Sequence, residues 1–178
     1  MPNIALIGRA GSGKSTLTKR ISEKFNLVII DSTALREYIT QKLENWEILE
    51  NTMAHGGIVP PYLQEKALIN RMNSNLSSVG FIWDNLYTES IFQLAEKYTP
   101  IDIAFHLEID EKSANTRLFN RGRGDLSPEF MQNRTRDFET NLPILINSLG
   151  KRLVTIDATK TQNDIFKTVS NSITTLLT

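Results

Sequence analysis

A run of eight residues near the start of the chain constrains the fold more than any other segment. Gly8-Arg9-Ala10-Gly11-Ser12-Gly13-Lys14-Ser15 matches G-x-x-x-x-G-K-[ST] in full. It follows Ile4-Ala5-Leu6-Ile7, a continuous apolar run that reads as a strand buried on both faces. Leu17, Ile21 and Phe25 then recur every fourth residue, as one face of a helix does. Strand, glycine-rich turn and helix in that order make an anion cradle. Glycines at 8, 11 and 13 let the backbone turn so that successive N–H groups converge on phosphate oxygens. The helix that opens at Lys14 points its positive end at the same anion. Lys14 supplies a point charge for the β and γ phosphates, and the Ser15 hydroxyl is a ligand for Mg²⁺. Ser12 and Thr16 complete the expected ATP-binding set with Gly8, Gly11 and Gly13.

The rest of the chain repeats the alternation. Leu27-Val28-Ile29-Ile30, Phe81-Ile82-Trp83, Ile103-Ala104-Phe105-His106-Leu107 and Leu153-Val154-Thr155-Ile156 read as four further strands. Helical periods are expected at about 34–53, 61–77, 89–98, 111–121, 128–148 and 162–177. Ser127-Pro128-Glu129 offers a cap, a proline at the first helical position and an acid in the first turn. Thr161 with Asp164 three residues later is a capping-box variant. Strands separated by helices imply parallel β-α-β units, so one α/β domain over residues 1–178 is expected.

Composition narrows the partners. Twenty Lys and Arg balance twenty Asp and Glu, which argues against a general nucleic-acid binder. There is no cysteine, so disulfides and thiolate metal sites are excluded. No apolar run approaches the roughly 20 residues of a bilayer span, and Met1-Pro2-Asn3 lacks the basic segment of a signal peptide. The expectation is a cytoplasmic monomer acting on small-molecule nucleotides, with no nucleic-acid or membrane partner.

From Ile4 to the last helix, the sequence resembles the adenylate kinase group of nucleoside monophosphate kinases, of the short-lid type. Met53-Ala54-His55-Gly56-Gly57-Ile58-Val59-Pro60 resembles M-x-x-G-x-[LI]-V-P, and Ser32-Thr33-Ala34-Leu35-Arg36 resembles S-T-G-D-L-L-R. Arg117-Leu118-Phe119-Asn120-Arg121-Gly122 resembles R-L-x-x-R-G. Arg123-Gly124-Asp125 resembles an abbreviated lid, and Arg134 with Phe138 resembles R-L-x-x-Y. The resemblance implies a three-layer P-loop fold with a five-stranded parallel sheet in the order 2-3-1-4-5. It also implies a helical acceptor-binding segment near 32–62 and a lid near 121–128. On the acceptor side it implies roles for Ser32, Thr33, Arg36, Ile58, Val59 and Gln93, with a lean towards AMP. It puts Arg117 against the ATP adenine and Arg121, Arg123 and Arg134 around the migrating phosphate, beside Lys14.

Guanidinium forks suit a transition state that spreads charge over equatorial oxygens, so the implied roles are physically coherent. Asp84 closes the third strand, where a carboxylate can hold Mg²⁺ directly or through water, with Ser15. His106, inside an apolar strand, reads as a buried or hydrogen-bonded core residue, and no general base is assigned. Departures cluster on the acceptor side. Asp84-Asn85-Leu86-Tyr87-Thr88 stands where the resemblance implies D-G-[FY]-P-R, so Thr88 replaces an arginine for the acceptor phosphate. Gln93 comes one residue late, and Arg36 comes early. Two other readings therefore stay open: a P-loop kinase of another small-molecule acceptor, and a nucleotide-binding regulatory protein without transferase activity.

Overall fold

In the computed structural model the described residues are 2–54, 59–74, 80–84, 86, 88–120 and 128–177, the side chains of 128–134 and 137 excepted. Five strands form one parallel sheet: β1 (Ile4–Ile7), β2 (Val28–Ile30), β3 (Phe81–Trp83), β4 (Ile103–Glu108) and β5 (Leu153–Asp157). Their spatial order is β2-β3-β1-β4-β5, as expected. The central strand β1 pairs with β3 and β4, with Ile4 opposite both Ile82 and Ile103.

The period-2 geometry of β1 divides the core. Ile4 and Leu6 face a cluster with Leu17 and Ile21 of α1 (Lys14–Phe25), Ala114 of α6 (Glu111–Asn120) and Ile165, Val169 and Ile173 of α8 (Gln162–Leu177). Ala5 and Ile7 face the other layer. That layer holds Leu68 and Met72 of α4 (Pro61–Asn73), Ile91, Phe92 and Ala95 of α5 (Glu89–Tyr98), and Phe138, Leu145 and Leu149 of α7 (Pro128–Leu149). Both faces are covered, which is why the strands read as unbroken apolar runs.

A third, smaller cluster lies outside these layers. Leu35, Tyr38, Leu49, Leu63 and Ala67 pack together, joining α2 (Thr33–Thr40), α3 (Trp46–Ala54) and the first half of α4. Here one expectation fails. The single helix near 34–53 is two helices, because the chain turns at Lys42 and Asn45, both in the left-handed region at φ 49° and 62°. Neither is glycine, so the break carries no strong sequence signal; Asn is only more tolerant of that region than most residues. The helix expected to reach residue 77 is capped at Ser74 after Asn73.

One cap and one first-turn proline follow the sequence chemistry, while the expected cap Ser127 lies outside the described residues. Asp164 N–H donates to Thr161 Oγ1 at 3.2 Å, and the Thr161 hydroxyl donates to the Asp164 carboxylate at 2.6 Å. Pro128 opens α7, as expected for a first-turn proline. Pro143 lies inside α7, so the carbonyl of Glu139, four residues earlier, has no helical donor.

Candidate functional site

The carboxyl ends of β1, β3 and β4 converge on one mouth, and the glycine loop lies across it. Gly11 and Gly13 adopt φ of 85° and 95°. A Cβ on Gly11 would lie 2.4 Å from the Ala114 carbonyl oxygen, so α6 packs directly on the loop. Gly13 is the N-cap of α1, and a Cβ there would meet the Gln162 amide at 2.6 Å. The loop closes on itself through Ser12 N–H to the Arg9 carbonyl at 3.2 Å. Lys14 Nζ arches back over it, donating to the carbonyls of Gly8 and, at 3.2 Å, Arg9. The Ser12 hydroxyl is buried and has no partner among the described residues.

Asp84 sits where β3 ends, fixed by its own N–H donating to the Ile30 carbonyl at 3.0 Å. Burial pushes its carboxyl above the usual range, against the pull of the Lys14 charge and the Ser15 hydroxyl; nearby Asp31 pushes it further up. One of its oxygens, Oδ1, is buried without a partner among the described residues. An orphaned carboxylate oxygen beside a serine hydroxyl is a hard-oxygen donor pair, and it fits Mg²⁺. His106 is buried within β4. Desolvation pushes its imidazole down, the Lys14 and Arg9 charges add to that, and Glu108 opposes it. It is neutral at pH 7, consistent with a core role.

Arg117, expected to bind ATP, lies on α6 three residues after Ala114, which touches Gly11. Its Nη1 is buried without a partner among the described residues. Gln162 was not singled out by the sequence, yet its amide lies against Gly13 and its Oε1 is also unpartnered among the described residues. Ser15 and Thr16 are exposed at the start of α1.

Of the residues expected to bind the acceptor, Ser32, Thr33 and Arg36 are exposed at and after the start of α2. Thr33 N–H donates to the Asp31 carboxylate at 2.8 Å. Val59 packs at the edge of the small third cluster. Gln93 is exposed on α5, and its amide donates to Glu89 at 3.3 Å. Thr88 caps α5, its hydroxyl accepting from Ile91 N–H at 3.3 Å. A threonine followed by Glu89 is a cap signal readable in the sequence. Ile58, His55, Arg121 and Arg123 lie outside the described residues, as does the side chain of Arg134, whose backbone is in α7.

A parallel sheet with this strand order, a phosphate loop after its central strand and a carboxylate at the end of the neighbouring strand define a P-loop kinase. A protein-family model described as an AAA domain matches residues 7–132. An adenylate kinase of Azobacteroides pseudotrichonymphae genomovar. CFP2 is 36% identical over 146 residues, covering 75% of this chain and 76% of that protein. Adenylate kinases of Mycobacterium leprae (strain Br4923) and Mycobacterium tuberculosis (strain ATCC 25177 / H37Ra) are 27% and 26% identical over 171 residues, covering 92% of this chain and 94% of each relative. The chain belongs to the adenylate kinase family of nucleoside monophosphate kinases, and it is an ATP-dependent phosphotransferase. That removes the regulatory reading without transfer. No helix among the described residues is long and apolar enough to cross a membrane.

Proposed function

We propose that the chain transfers the γ-phosphoryl group of ATP to AMP, in the reaction ATP + AMP ⇌ 2 ADP. The observation that carries the transfer chemistry is the convergence of Lys14, Ser15 and Asp84 at one loop mouth. The AMP assignment is supported by Ser32-Thr33 at the start of α2 and by the relatives being adenylate kinases.

Lys14 is already held over the loop by backbone carbonyls, so its charge is in place before the substrate arrives. Transfer then needs little proton chemistry: an oxygen of the AMP phosphate attacks the γ-phosphorus, the bond to the β–γ bridging oxygen breaks, and that oxygen leaves on ADP. Ser15 and Asp84 would hold Mg²⁺, which when bound neutralises charge on the β and γ phosphates. Arg121, Arg123 and Arg134 would supply the remaining guanidiniums around the migrating group. Arg117 would lie along the ATP adenine. Residues 32–62 would bind the acceptor, with Arg36 on its phosphate and Ile58, Val59 and Gln93 along its base. Residues 121–128 would close as a lid that excludes water. We place this reaction in the cytoplasm.

The exposed Gln93 and the capping role of Thr88 favour a second reading, in which the acceptor is a different nucleoside monophosphate or another small phosphorylated metabolite. A coupled ADP-release assay with MgATP against AMP, CMP, UMP, GMP and dTMP decides between them. The proposal expects the highest kcat/KM with AMP. A higher value with any other acceptor refutes the AMP assignment.

A further inference from the structure

The second residue of the phosphate loop is an arginine that none of the roles above uses. Arg9 leaves the loop towards α7, where its Nη2 donates to Glu139 Oε1 at 3.1 Å. The Arg9 side chain is only 19% exposed, while that of Glu139 is 54% exposed. Among the described residues the rest of the guanidinium fork has no protein partner, so most of its five donors remain available.

Three neighbours say what that fork faces. Arg9 and Lys14 both act on the His106 imidazole, so the two cations share the mouth above β4. Phe138, next to Glu139, lies with its ring 6.3 Å from that imidazole, which ties this stretch of α7 to the same spot. Glu139 is also the residue whose carbonyl loses its helical donor to Pro143, so α7 bends most easily where it holds Arg9.

The direction of the side chain separates the two substrates. Ala114 and Gln162 crowd the loop from α6 and α8. Arg9 leans the other way, towards the layer built by α4, α5 and α7. On that side the proposed reading already puts Arg36 on the acceptor phosphate, and two other described groups are committed elsewhere. The Thr88 hydroxyl caps α5, and Arg71 is bonded to Glu37 at 2.6 Å and to the Ile29 carbonyl at 3.3 Å. An attacking phosphate oxygen must come within about 3–3.5 Å of the γ-phosphorus that the loop holds. A guanidinium rooted in the loop is therefore within reach of the acceptor's phosphate as well.

We infer that Arg9 is a binding residue for the acceptor phosphate, held by Glu139 until the phosphate displaces the carboxylate. The exchange is favourable because a half-exposed ion pair contributes little, whereas a guanidinium on a phosphate dianion makes two parallel charge-assisted bonds. Arg9 then supplies the charge that residue 88 does not. The inference rests on the acceptor being a nucleoside monophosphate.

Steady-state kinetics of the full chain with MgATP and the preferred monophosphate test it. Arg9→Ala is expected to raise KM for the monophosphate about 10- to 100-fold, with KM for ATP changed by less than about threefold. Arg9→Gln, which keeps the bulk of the side chain, should behave the same way, and Arg9→Lys should restore part of the loss. Glu139→Gln should leave KM for the monophosphate unchanged or lower it about two- to threefold, because the competing carboxylate is gone. Adding Thr88→Arg to Arg9→Ala should recover acceptor affinity. A rise in KM for ATP alone, no change in either KM, or a Glu139→Gln defect equal to that of Arg9→Gln overturns the inference. A wild-type protein that turns over no monophosphate removes the acceptor assignment itself, and Arg9's role with it. Turnover that is indifferent to Arg9 removes only the latter.

Discussion

Asp84→Asn should stabilise the nucleotide-free protein while weakening its response to MgATP. In the free protein Asp84 keeps a carboxylate half out of water with one oxygen unpartnered among the described residues, and its pKa is raised by that burial. A raised folded pKa means that the sum of desolvation, the Lys14 attraction and the Ser15 bond disfavours the charge. An unsatisfied buried acceptor of this kind costs about 1–3 kcal/mol. The retained attraction to Lys14 argues for the lower end, so a gain of about 1 kcal/mol is expected for the neutral amide. For a chain of this size that is about 2–4 °C in Tm.

The pH dependence follows from linkage. Between the unfolded and the raised folded pKa, the folded state holds a proton that the unfolded state has lost. Stability from this group therefore falls as pH rises through that window and is level above it. The advantage of the variant should be full above the raised folded pKa and shrink towards acid pH as Asp84 takes up its proton. Scanning calorimetry in EDTA measures the bare proteins, and a second scan with MgATP measures the ligand term. At a hundred times Kd the wild type should gain about 2.7 kcal/mol, and the variant much less. A bare variant less stable than wild type at pH 7.5 would refute the claim that the orphaned carboxylate oxygen is a cost. An unchanged response to MgATP would refute its role at the metal.

Arg123→Ala should lower kcat by about 100-fold or more, as loss of a transition-state donor does, with ATP affinity by calorimetry within about threefold of wild type. Gly11→Ala places a side chain in the left-handed region and 2.4 Å from the Ala114 carbonyl. It should cost at least about 1–3 kcal/mol in urea unfolding and abolish ATP binding. Thr99→Val removes the acceptor of the buried Trp83 indole N–H, now at 2.9 Å. A loss of about 1–3 kcal/mol is expected by denaturant titration, with kinetics unchanged because the bond lies away from the loop.

The parts of the fold legible in the sequence were those set by local periodicity. Each strand is an apolar run because the sheet is covered on both faces, and the loop is legible because its glycines, Lys14 and Ser15 are contiguous. Asp84 could be picked out because a carboxylate ending a buried strand is unusual chemistry in an apolar context. The break between α2 and α3 was hidden because Lys42 and Asn45 take left-handed geometry without a glycine to announce it. The Arg9–Glu139 pair was hidden by distance, since 130 residues separate its members. Gln162 was hidden because nothing in a polar residue after Thr161 says that the helix start abuts Gly13. What escaped the sequence was cross-chain geometry at the mouth, not the chemistry of its central loop.

Helix α4 belongs to two interiors at once. Its Leu68 and Met72 are seated in the layer under the sheet, while Leu63 and Ala67, a turn earlier, are seated among Leu35, Tyr38 and Leu49. A helix shared in this way acts as an axle. Among the described residues of the lobe formed by α2 and α3, Ala34 at the start of α2 is seated in the larger interior, so a pivot about the near end of α4 would disturb that interior at Ala34 while the smaller cluster keeps its own apolar contacts. In hydrogen exchange the amides of α2 and α3 should open at lower free energy than those of β1 and β4. Substrate-driven swinging of that lobe would then strain one helix and the seat of Ala34 rather than the sheet.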